Sequence, residues 1–252
     1  MMKSAFTLAR FHLLSVWNWR SSHLSRVIEA PAYFLFMVAG LATLSDDHRI
    51  EGMSYNDFAF AGVLMVIAVR ALFWSMGDVA NDRKWGVYAV SRSADVSFFQ
   101  YVVSVLCAGG LVALAQITAI ALIKQVLGHG DPATDLAMAV LALAVCLMAV
   151  LTGCALGFAV NSYNKRDLLT SLFSLPLVMT APLFYSLDAV PGYMRVLAAL
   201  NPFTYSVALV RSPATGDFPA AAVAGCLVTV GVVAVVLGAA ARRHELISNE
   251  QG

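Results

Sequence analysis

Residues 220–241 read AAAVAGCLVTVGVVAVVLGAAA, an apolar run with no charge in it, ending against Arg242-Arg243. A helix of about 20 apolar residues crosses a ~30 Å hydrocarbon core, so this stretch predicts a membrane span with a basic anchor at its far end. The rest of the chain agrees. Of 252 residues, 60% are hydrophobic and 12% charged, and the mean hydropathy of +0.77 is far from the balance of an ordinary soluble domain. The expectation is an all-α integral membrane protein.

Working back from that span, further runs near 27–45, 57–77, 98–123, 134–160 and 168–188 approach spanning length, which makes six transmembrane helices with 219–241. The first is the weakest, with Glu29 and Pro31 at its start. Lysines and arginines set the orientation. Lys3, Arg10, Arg20, Arg26, Arg83, Lys84, Arg92, Lys165, Arg166, Arg242 and Arg243 fall in one alternating set of connections, against Arg49, Lys124, Arg195 and Arg211 in the other. Both termini are therefore expected in the cytoplasm, with the protein multi-pass in the inner (plasma) membrane. A formal net charge of +1 leaves no basic excess for nucleic acid. The N-terminus has polar and charged residues where a cleavable leader would be apolar, so it is expected to be retained.

Ahead of the first span, FTLARFHLLSVWNWR (6–20) sets Phe6, Ala9, Leu13, Val16 and Trp17 at helical spacing, with Thr7, Arg10 and Asn18 on another side. That pattern predicts an amphipathic helix along the cytoplasmic interface, serving either as an anchor or as a docking surface. The chain is expected to be a single transmembrane domain over 1–252: an interface helix at 1–26, a six-span bundle at 27–241 and a cytoplasmic tail at 242–252.

Motifs of catalysis are missing from the sequence. There is no phosphate-binding GxxxxGK[ST] loop, no HExxH and no GxSxG. His12, His23, His48, His129 and His244 are scattered, the acids are spread over connections, and Cys107, Cys146, Cys154 and Cys226 sit inside apolar runs, where they are expected to pack. An enzyme working on lipid would need clustered acids or histidines at one depth. No cofactor or metal is expected in this chain, and if ATP is used another chain must bind it.

Three features invite a functional reading. Arg70 lies mid-run in DFAFAGVLMVIAVRALFWSMG (57–77), where a charge must face protein or water; either a pathway role or a structural partner would explain it. The connection GDVANDRKWGVYAVSRSADVSFFQ (77–100) mixes Asp82, Arg83 and Lys84 with Trp85, Gly86 and Tyr88, which predicts a short helix either seated in a partner's groove or resting on lipid. APLFYSLDAVPGYMRVLAALNPFTYSVALVR (181–211) breaks at Pro191-Gly192 and again at Asn201-Pro202. Proline cannot continue a helix and pushes its predecessor out of the α region, so this segment predicts two short re-entrant helices between spans five and six, with Arg195 and Arg211 at their polar ends. Gly153 and Gly157, and likewise Gly109-Gly110, allow close helix approach, expected within one subunit in preference to a dimer seam.

Taken together, these residues resemble the type-2 permease subunits of ATP-binding cassette exporters over nearly the whole chain. The most specific likeness is Pro191-Gly192, then Leu200-Asn201-Pro202-Phe203-Thr204-Tyr205, then Arg211, similar to a PG…LNP.TY…R pattern. One departure is Arg83-Lys84-Trp85 before Gly86, where family members commonly carry acids. The resemblance implies a non-hydrolysing membrane subunit partnered by a second permease chain, the same or different, and by a cytoplasmic nucleotide-binding ATPase subunit that holds ATP and Mg. It implies coupling through Asp82, Arg83, Lys84, Trp85, Gly86 and Tyr88, and an outer gate at Pro191, Gly192, Asn201, Pro202 and Tyr205. The cargo expected from spans nearly free of carboxylates is a hydrophobic or amphipathic compound such as a drug, natural product or lipid. A glycan or glycolipid is the alternative, for which Tyr185, Tyr193, Phe203 and Tyr205 at the outer end would be the platforms. A non-transporting membrane anchor is a further one.

Overall fold

The computed structural model of the chain describes residues 28–36, 50–128, 130–160 and 162–250, with Leu8, Arg10, Leu14 and Leu24 besides, and side chains as far as Arg242. Its regular elements are helices: α1, described over 28–36, α2 (Tyr55–Lys84), α3 (Val87–Ser93), α4 (Phe98–Val126), α5 (Pro132–Ala159), α6 (Tyr163–Thr180), a 3₁₀ turn (Leu187–Ala189), α7 (Gly192–Leu200), α8 (Pro202–Thr215) and α9 (Ala220–Glu250).

Most of these helices start where a side chain can take up an orphan backbone donor. Ser54 accepts from Asp57 N at 3.2 Å. Ser97 and Gln100 form a reciprocal capping box on α4. Asp131 accepts from the backbone N and the Oγ1 of Thr134, both at 2.9 Å, and those two bonds hold its carboxyl below the usual range; Pro132 follows it in the first helical turn. At the other end of α2, Gly86 takes up a left-handed φ of 79°, a conformation that costs glycine little, and turns the chain into α3.

Among the described residues, four helices are long and apolar enough to cross a membrane: α2, α4, α5 and α9 through Arg242. They correspond to the runs near 57–77, 98–123, 134–160 and 219–241. The first expected span is described only over α1, and the interface helix of 1–26 lies outside the described residues except for Leu8, Arg10, Leu14 and Leu24, which are helical. The fifth run differs from expectation. Its helix begins earlier, at Tyr163 in a charged first turn, and stops at Thr180 rather than near 188, because Ala181 precedes Pro182 and is held extended at ψ 143°. A second boundary also moves. Residues 78–84 belong to α2 rather than to a loop, so the connection to α4 runs only from Trp85 to Ser97.

Packing places α2 at the centre. Its most apolar stretch is 89% buried against 11% for that of α9. Helix α5 lies along α2 and also packs on α4 and on α9, while α8 packs on α2, α5 and α9. Close approach comes from glycine, as expected. A Cβ on Gly153 would collide with Ser75 Oγ and the Leu72 carbonyl, and one on Gly157 would lie 2.7 Å from Val79 Cβ; both face α2. Gly110 and Gly109 face Leu147 and Val150 of α5. Cys146 and Cys154 are buried in the core, but Cys107 is exposed, so packing does not account for it.

Candidate functional site

At one end of the bundle, α2, α4 and α5 converge on α3, and α6 starts beside the end of α2. Tyr88 of α3 is buried, edge-on to Tyr101 at 5.0 Å and to Phe158 at 5.3 Å between centroids, and Phe98 closes the box at 4.9 Å from Phe158. The Tyr101 hydroxyl donates to Asp82 Oδ2 at 2.7 Å. Leu8, the described point nearest the chain's start, is buried in the same cluster.

Arg83 turns inward. Its Nη1 donates to the carbonyls of Gly157 (3.0 Å), Phe158 (2.8 Å) and Val160 (3.0 Å), which are orphan acceptors at the end of α5. Lys84 stands 3.6 Å over the Tyr163 ring, and Arg166 of α6 donates to Asn81 of α2 at 2.8 Å. The end of α2 is thus tied both to the last turn of α5 and to the first of α6.

The residues read as a partner-coupling set therefore divide. Asp82, Arg83 and Tyr88 serve the interior, and Tyr88 cannot seat on another protein because its ring is already enclosed. Trp85, 65% exposed, and Val90, 67% exposed, are presented outward beside the Gly86 turn. A displaced α3 would pull on α4 and α5 through Tyr88 and on α2 through the Gly86 turn.

The opposite end holds the Pro191 to Tyr205 segment. Asn201 joins three helices: its Oδ1 accepts from Phe203 N at 2.9 Å to cap α8, its Nδ2 donates to Leu177 O at 2.8 Å and Thr180 Oγ1 at 2.9 Å in the last turn of α6, and its N–H closes α7 onto Ala198 O. Asn201-Pro202 is thus the corner between α7 and α8 that the sequence suggested. Pro191 is the N-cap of α7 and Gly192 its first residue. The Tyr205 hydroxyl donates to Ala199 O at 2.8 Å, and its ring rests against Gly225 of α9, whose added Cβ would lie 2.5 Å from Tyr205 Cγ.

Charges at this end are organised in a way the sequence reading missed. Lys124, expected in an outer connection, is fully buried; it pairs with Asp57 at 2.6 Å and with Asp135, and lies 4.5 Å from the Phe60 centroid. Gln125 also donates to Asp135, at 2.6 Å. Two of the acids taken as dispersed, Asp57 and Asp135, are therefore gathered around one cation. Arg211, expected at a polar helix end, is buried too. It donates to Leu183 O at 2.9 Å, pairs with Glu51 at 3.5 Å and stacks 3.5 Å from the Phe58 centroid, supplying a donor to the extended backbone that Gly62 admits beside α2. The available signal was the matching depth of Asp57, Lys124 and Asp135 at three predicted span ends. Among the described residues, no group of three or more His, Cys, Asp or Glu could hold a metal ion.

Arg70 reaches α1, where it pairs with Glu29 and lies 5.4 Å from the Tyr33 ring centroid. The geometry favours the structural reading. In a double-mutant cycle, Arg70→Gln and Glu29→Gln together should lower the thermal midpoint by less than the sum of the two alone; additivity would separate the residues.

Comparison with known proteins adds to this geometry. The sequence profile described as ABC-2 family transporter protein matches residues 43–241. Nodulation protein J of Rhizobium leguminosarum bv. viciae is 24% identical over 224 residues, covering 81% of this chain and 82% of that protein.

Proposed function

Because the chain belongs to the ABC-2 family of transporter proteins, we propose that it is the membrane-spanning subunit of an ATP-binding cassette exporter, moving a hydrophobic or amphipathic compound outward. ATP and Mg sit on a separate nucleotide-binding subunit, and a second permease chain completes the complex. The single observation that carries this reading is the elbow at Gly86: Trp85 and Val90 face outward while Tyr88, Arg83 and Asp82 bind the elbow to α4 and α5. A rigid element with an exposed apolar tip is suited to transmit a partner's movement.

The orientation follows from charge. Arg83, Lys84, Arg92, Lys165, Arg166 and Arg242 fall at the elbow end, whereas at the far end Lys124 and Arg211 are used up in buried pairs and exposed Arg195 bonds the carbonyls of Leu187 and Asp188. Positive flanks belong in the cytoplasm, which supports a reading with the elbow and both termini inside and, in a six-span bundle, the α7–Asn201–α8 corner outside as a gate. Exposed Tyr193 at that outer end keeps a glycan cargo as the second reading, through ring stacking.

The test is a paired substitution on the exposed tip. Trp85→Ala with Val90→Asp should weaken co-purification of the ATPase subunit several-fold and leave the thermal midpoint of the membrane chain within about 0.5 kcal/mol-equivalent of wild type, as expected for exposed positions. Undiminished co-purification with full cargo-stimulated ATPase would remove the elbow from the interface.

A further inference from the structure

An apolar cavity of about 700 Å³ opens between α4, α5 and α9. Its walls are Phe98, Phe99 and Val102 on one side, Leu147 and Leu151 at the back, and α9 from Val230 to Ala241 on the other. At a rise of 1.5 Å per residue the α9 wall is roughly 16 Å long, about half of a ~30 Å hydrocarbon core. The cavity therefore has the reach of one leaflet.

Its two ends differ in charge. At the elbow end, Ala241 of the wall is followed at once by exposed Arg242. From α3, Arg92 donates at 2.9 Å to the carbonyl of Val96, the residue before Ser97, which also lines the cavity. Two arginines thus adjoin lining residues of the elbow end, Arg242 next to Ala241 and Arg92 through the carbonyl beside Ser97, while the far end near Val230 and Ala144 is apolar. Cations at the cytoplasmic surface attract the anionic lipids of that leaflet, and a guanidinium matches phosphate geometry.

We propose that this groove seats one acyl chain of an anionic phospholipid from the cytoplasmic leaflet, with the phosphate held between Arg92 and Arg242. The lipid is a resident ligand rather than cargo. It wedges α9 against α4, where the two helices otherwise touch little, and so sets how firmly the last span follows the elbow. The proposal rests on the cytoplasmic placement of the elbow, and its readout requires neither nucleotide nor cargo.

Glycines on α9 supply the test. A Cβ on Gly238, a lining residue, would meet nothing within 4 Å, so a larger side chain there can grow into the groove, and a Cβ on Gly231, which does not line the groove, is equally unobstructed. The full chain, with any subunit that accompanies it, would be exchanged into nanodiscs of equal dioleoyl phosphatidylglycerol and dioleoyl phosphatidylcholine. Retained lipid would then be counted by native mass spectrometry after gentle detergent release. Wild type and Gly231→Leu should retain phosphatidylglycerol several-fold over phosphatidylcholine. Gly238→Leu should lose retention of both, and Arg92→Gln with Arg242→Gln should keep a lipid but lose the preference. Equal retention in Gly238→Leu, or no headgroup preference in wild type, would overturn the proposal. So would a lipid-free wild type whose Gly238→Cys variant cross-links to a second copy, since the groove would then belong to a dimer. Each of these results leaves the elbow test above unaffected.

Discussion

Gly153→Ala is expected to cost the protein most of its folded population in detergent. The added methyl would fall onto Ser75 Oγ and the Leu72 carbonyl of α2, and the second of these is backbone, which cannot rotate away. Ser75 is itself held by the Val150 carbonyl at 3.0 Å, so relieving the clash would also break a hydrogen bond between the two most extensively packed helices. Overpacking a dense interior costs about 1–3 kcal/mol per site, and a backbone collision belongs at the upper end. Without a strong hydrophobic drive between helices in lipid, close contact is what holds α5 to α2. The control is Gly231→Ala on α9, where the methyl meets nothing and the change should be neutral or mildly stabilising, because alanine is the better helix former. Fluorescence-detected thermal unfolding would show a large drop in midpoint for Gly153→Ala alone. Equal midpoints would mean that the helices are not packed as described.

Lys124→Met should be as severe, for an electrostatic reason. Its ammonium has no exposed surface, and Asp135 is almost equally buried. Removing the cation leaves Asp57 and Asp135 facing each other with no counter-charge, and breaking a buried pair in this way costs about 3–5 kcal/mol. Replacing the whole group is another matter. Asp57→Asn with Lys124→Met and Asp135→Asn removes the stranded charges, and this triple variant should be clearly more stable than Lys124→Met alone. A wild-type midpoint for Lys124→Met would show that the cation is not enclosed by the ends of α2, α4 and α5. A triple variant no better than the single would assign the loss to packing against Phe60.

These two sites also show what could be read in the chain beforehand. Gly153 and Gly157 were legible because small residues four apart in an apolar run have few other uses, and the spans at α2, α4, α5 and α9 were legible because length and hydropathy suffice. Asn201-Pro202 was legible as a corner, since proline's geometry is local. What Asn201 bonds to was not, because Leu177 and Thr180 come from another helix. Lys124, Arg211 and Tyr88 were misplaced for the same reason. A lysine at the end of a span reads as an anchor in water, and a tyrosine in a polar stretch reads as surface; only tertiary packing brings Asp57 and Asp135 to the first and Phe158 to the second. The stop at Thr180 was within reach, because Pro182 marks it. The long apolar run through Ala181 to Tyr185 outweighed that mark.

The elbow, the corner and the buried pairs make sense together if force enters at Trp85 and leaves at Asn201. The measurement that tests this most directly is gentle purification of the tagged chain from its native host, followed by mass spectrometry of what elutes with it and an ATPase assay of the eluate. The account predicts a stoichiometric nucleotide-binding subunit whose hydrolysis rises with cargo and falls away when Trp85→Ala and Val90→Asp are introduced. A chain that elutes alone in repeated preparations, with no ATPase activity, would contradict it.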